Sequence, residues 1–106
     1  AQLSDTLVFE GYWQDDWVST QCYQERPFSE LVSLWLNLNH HLSHVFARTP
    51  ISVRQAERSQ HNLNEIAWHP VPSGESTTLE YFMLDYVNHV RHHLAQIHQR
   101  LSSAAK

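Results

Sequence analysis

The stretch NHVRHHLAQI, from Asn88 to Ile97, places three histidines within five positions. A neutral imidazole offers one lone pair, which can go to a metal ion or to a proton donor. On a helix, His89 and His93 stand one turn apart on one side. Two imidazoles so spaced can share one ion, and imidazole suits zinc, nickel, copper or iron. A catalytic ion usually has three protein ligands and an open position, so a third ligand is needed. His41, His61, His69 and Asp85 have the right chemistry, but none stands at a diagnostic distance from the pair. The alternative is a pair of core histidines, hydrogen-bonded to Asp85, to Tyr86 or to each other through water. Burying them unpaired would cost roughly 1–3 kcal/mol each.

The elements that must position these residues are helical. Leu79, Phe82, Met83, Tyr86, Val90, Leu94, Ile97 and Leu101 recur at helical spacing, so residues 77–101 read as one long helix. Thr77 followed by Glu80 predicts a capping box at its start. On this helix His93 falls inside the apolar stripe and His89 at its edge, while His92 and His98 point away. An earlier long helix carries Leu31, Leu34, Trp35, Leu38, Leu42 and Val45, and should stop near Thr49 because Pro50 follows. There His40 and His44 form a second one-turn pair, opposite the stripe and toward solvent. His41 lies at the edge of the buried side.

Shorter pieces fill the rest. Asp15 and Asp16 ahead of Trp17, Val18 and Cys22 suit a short helix, closed where Pro27 forces Arg26 to be extended. Ile51 to Glu57 has room for two helical turns. Pro70, Pro72 and Gly74 mark an irregular connection, with the tryptophan of WHPVP tucked over the core. His61 reads as an exposed loop residue. Residues 1–9 fit either the last turns of a helix or an extended piece. The chain is expected to form one helical domain over 1–101, with 102–106 a frayed tail.

Composition narrows the function classes. Two glycines in 106 residues favour long helices over a many-turned sheet, hence an all-α fold. The net charge is −4 and the basic residues are scattered, which argues against nucleic acid as partner. No apolar run approaches membrane-spanning length, and no signal peptide is visible. A lone cysteine, Cys22, fits a reducing cytoplasm, and nothing beside it marks it as a nucleophile. A start at Ala1 without methionine suggests a processed or truncated product.

NHVRHHLAQI resembles the last-helix motif of the DinB/YfiT-like superfamily, where a histidine, three residues, a second histidine and a Gln-Ile recur. The order DDWV, RPFSELVSLWLNLNHHL, TTLEYFMLDYVNHVRHHLAQI is similar to the later two-thirds of such a protein, from about Tyr12 to Ile97. The resemblance implies a four-helix bundle holding a divalent metal on three histidines. Two of them map to His89 and His93. The third belongs to text that would lie immediately before Ala1, so the first helix and most of the second are expected to be missing.

Two functions follow from this reading. The first is a metal-dependent hydrolase or thiol transferase acting on a small thiol or other small molecule. It would carry zinc, nickel or iron on His89 and His93, with Asp85, Tyr86, Gln96 or His41 as supporting residue or third ligand. The second is a non-catalytic helical module. Either way, stripes left bare by missing helices predict a homodimer or larger assembly.

Overall fold

The computed structural model describes residues 6–11 and 13–104. They form an all-α structure with no β-strand among the described residues. The helices are α1 (Gln14–Gln21), α2 (Phe28–Arg48), α3 (Ile51–Arg54), α4 (Leu63–Ile66) and α5 (Leu79–Ala104), with a 3₁₀ turn at Tyr23–Glu25. The chain falls into two compact units, one made of Glu10–Pro50 and the other of the flanking segments Ala1–Phe9 and Ile51–Lys106.

The Glu10–Pro50 unit is built by its breakers. Asp15 and Asp16 occupy the first turn of α1, where the helix dipole favours negative charge. Cys22 ends α1 in the left-handed region (φ 52°), its N–H donating to the Val18 carbonyl at 3.0 Å. Arg26 is extended, as Pro27 requires, and α2 starts at Phe28. At the far end Thr49 is extended ahead of Pro50, and its hydroxyl donates to the Val45 carbonyl at 2.8 Å. Leu34, Trp35 and Leu38 of the α2 stripe stay exposed.

The flanking unit carries the histidine motif. Its core is small: Leu7, Leu63, Ala67 and Leu79 are buried. Leu7 pairs with the chain around His61 in a parallel bridge, and the Asn62 side chain clasps the Phe9 backbone at 2.6 and 3.0 Å. No helix forms over residues 6–9, so the helix-end reading of residues 1–9 fails there; residues 1–5 lie outside the described residues. Arg58 and Thr77 form an antiparallel bridge, with backbone bonds of 2.8 and 2.9 Å in the two directions.

Three local expectations are corrected here. The helix at Ile51 lasts one turn, because Arg58 leaves it to pair with Thr77 and its guanidinium donates to the Val53 carbonyl. Thr77 is therefore occupied, and the residue capping α5 is Thr78, whose hydroxyl accepts the Tyr81 N–H at 3.0 Å. Glu80 does not turn back on the cap but pairs with Arg54 at 3.4 Å. At the other end α5 runs on to Ala104.

Burial along α5 changes at its middle. From Leu79 to Val90 the inward positions are buried or half-buried. From Arg91 to Ala104 every residue is exposed. At 1.5 Å per residue this is about 20 Å of helix that its own unit leaves uncovered.

Candidate functional site

The site is a ridge along α5. Tyr81, Asp85, His89 and His93 follow one another every four residues, so each lies one turn above the last on one side of the helix. The turn Trp68–His69 lies against the lower part of that ridge. Asp85 is 6% exposed, and both its oxygens are engaged. Oδ2 accepts the Trp68 N–H at 2.8 Å and Oδ1 the His69 N–H at 2.9 Å. Oδ1 also meets His69 Nδ1 at 3.2 Å. The Tyr81 hydroxyl donates to the His69 carbonyl at 2.8 Å. A buried carboxylate is tolerable only with such donors, and two successive backbone N–H groups make a natural anion cradle.

The turn carries an aromatic plate. The Trp68 indole lies nearly parallel to the His89 ring, with centroids 5.1 Å apart and planes inclined by 6°. It also meets His92 at 5.1 Å, tilted by 37°. Above it, His89 Nε2 and His93 Nε2 converge to 2.9 Å. His93 Nδ1 is 2.9 Å from Gln96 Oε1. Gln96 presents a carbonyl oxygen, so His93 Nδ1 is the donor there and its Nε2 accepts the hydrogen bond from His89 Nε2–H.

Electrostatics favour the neutral His89 ring. Burial lowers its pKa most, and His93 lowers it further. Asp85 pulls the other way, and His92 and His69 add smaller depressions. Burial pushes the Tyr86 phenol up, so it stays protonated at neutral pH.

The expected residues are distributed unevenly. His89 and His93 meet as their spacing predicts, and Gln96 stands behind His93. The expectation that both rings face the core is corrected: His89 is half-buried and His93 is exposed. His93 lies on the half of α5 beyond Val90, where every residue is exposed. Asp85 is turned into the Trp68–His69 turn, where both of its oxygens accept hydrogen bonds. His69 directs Nδ1 to Asp85. Tyr86 is half-buried on the same helix. His61 is no loose loop residue: its Nε2 donates to the Glu75 carbonyl at 2.7 Å and its Nδ1 accepts the Leu63 N–H at 3.1 Å. On α2, His41 is exposed and stacks loosely on His44, with centroids 6.4 Å apart.

Among the described residues no group of three His, Cys, Asp or Glu is arranged to hold an ion. Sequence reasoning missed Trp68 as the neighbour of His89. The signal was there in the directly adjacent Trp68-His69-Pro70, but nothing local says which helix such a turn will meet. A scan against family models, a search of curated proteins and a search of solved structures found no match.

Proposed function

We propose that the chain is a DinB-like divalent-metal-binding protein whose His89 and His93 supply two ligands, acting as a metal-dependent hydrolase or thiol transferase. The supporting observation is the convergence of the two Nε2 atoms at 2.9 Å, with Gln96 fixing the His93 tautomer. Two nitrogens sharing one ion at about 2.0–2.1 Å each stand about 3 Å apart or slightly more. The donor set fits zinc, nickel or iron, and a carbonyl behind a ligating imidazole is the usual way its orientation is set. A bound divalent ion supplies Lewis acidity, which brings a water or thiol toward deprotonation at neutral pH. The chain's own part is to favour the neutral His89 ring and to leave His93 open to solvent for a small substrate. The remaining ligand comes from outside the group of residues that meets at the pair.

Titration of the metal-free protein with Zn²⁺ and Ni²⁺ by calorimetry tests this reading. One equivalent should bind, and His89→Ala or His93→Ala should abolish binding while leaving the helical circular dichroism unchanged. Wild-type protein that binds neither ion sinks it.

A second reading has its own observation. The imidazoles also satisfy each other by hydrogen bonding, and Leu94, Ile97 and Leu101 form an exposed apolar row on the uncovered half of α5. On that reading the protein is a helical module that self-associates, with the histidines in a structural role. Sedimentation at several concentrations without metal tests it: a monomer throughout removes it.

A further inference from the structure

The Asp85 carboxylate is the most buried charged group of the α5 ridge, and no ion pair with Lys or Arg is seen for it among the described residues. Its three contacts all go to Trp68 and His69. With the Tyr81 hydroxyl on the His69 carbonyl, four hydrogen bonds fasten two consecutive residues to two turns of α5. Hydrogen bonds to a charged group are stronger than neutral ones, so Asp85 is the strongest point of this clasp. What the clasp delivers is the indole. A tryptophan on an irregular connection has its own rotamers and a mobile backbone to lose. Here the backbone is gripped at the Trp68 N–H itself, and the ring lies 6° from the plane of His89.

A ring held flat against a second ring cannot rotate about χ2 without tilting into it. His89 thus has its plane set by Trp68, while His93 has its plane set by Gln96. We propose that Asp85 is a positioning residue for the imidazole pair. It anchors the Trp68–His69 turn so that the Trp68 indole fixes the plane in which His89 Nε2 meets its partner. Asp85 acts through the turn, which is where all three of its hydrogen bonds go. This inference rests on the metal-binding reading for its consequence, but its geometry stands without any ion.

The test uses the full chain with Asp85→Asn, Trp68→Leu and Trp68→Phe, and reads two quantities. The first is Zn²⁺ affinity by calorimetry at a temperature where each variant is folded. Loss of a residue that orients a metal-bound imidazole typically weakens binding about 10- to 100-fold. Asp85→Asn and Trp68→Leu should both fall in that range, and Trp68→Phe, which keeps a flat ring, should recover most of the loss. The second readout needs no metal: the imidazole nitrogen spectrum and the ring-current shift that Trp68 imposes on the His89 ring protons. Asp85→Asn should erase that shift and leave His89 a mixture of tautomers while the helical signal stays. Should Asp85→Asn fail to fold, the leucine and phenylalanine pair at Trp68 carries the same comparison.

If wild type binds no Zn²⁺ yet the ring shift is lost in Asp85→Asn, the metal reading falls and the positioning role stands. Folded Asp85→Asn and Trp68→Leu with wild-type affinity and an unchanged His89 spectrum overturn the positioning role alone. A variant that only lowers thermal stability, with both site readouts intact, also overturns it.

Discussion

At the scale of single residues, His89 and His93 are alike in sequence and unlike in surroundings. His89 is half-buried against Trp68 and its pKa is lowered by burial first and by His93 next; His93 is exposed and held through Gln96. The folded protein therefore binds a proton at His89 less readily than the unfolded chain does. The stability tied to the neutral ring is fully present above the unfolded value of about 6.5 and is lost as pH falls through the lower folded value. A histidine-resolved NMR titration should show His89 titrating below the ordinary range, and His89→Asn should flatten the fall in stability between neutral and mildly acid pH. At the opposite ring, Gln96→Ala removes the carbonyl that holds the proton on His93 Nδ1. Zn²⁺ binding should weaken about tenfold or more without a change in helix content. The pair itself was legible from spacing, because one helical turn brings residues four apart together whatever else the fold does. The burial of His93 was not legible, since an apolar stripe says which side of a helix wants cover and not whether cover is there.

At the scale of elements, long helices announce themselves and short connections do not. The stripes of α2 and α5, and the stops at Pro27 and Pro50, could be read from periodicity and proline stereochemistry. The pairing of Arg58 with Thr77, and of Leu7 with the chain near His61, could not, because those backbone contacts join residues about 20 and 50 positions apart. That pairing also moved the helix cap from Thr77 to Thr78. Thr78→Ala should cost about 1 kcal/mol in chemical denaturation, whereas Glu80→Gln, which weakens a partly exposed ion pair with Arg54, should cost well under 1 kcal/mol. Leu63 is fully buried in a core of few residues, so Leu63→Ala should cost about 2–5 kcal/mol and disturb the Trp68–His69 turn that follows it.

At the scale of the whole molecule, the feature that sets expectations is the abrupt end of cover on α5 at Arg91. The apolar residues Leu94, Ile97 and Leu101 beyond it are 46%, 55% and 66% exposed, and the self-association proposed from them is open to a direct check. Ile97→Glu with Leu101→Glu should lower the sedimenting mass at high concentration, with no loss of the Trp68–His89 stacking. The same discontinuity divides α5 in time as well as in space. Amides up to Val90 can exchange with deuterium only when the small core opens, while those past Arg91 are guarded by little more than the helix's own hydrogen bonds. One continuous rod should thus display two rates, separated between the paired histidines, and whatever seats itself on the outer half will be recognised by the slowing of the faster one.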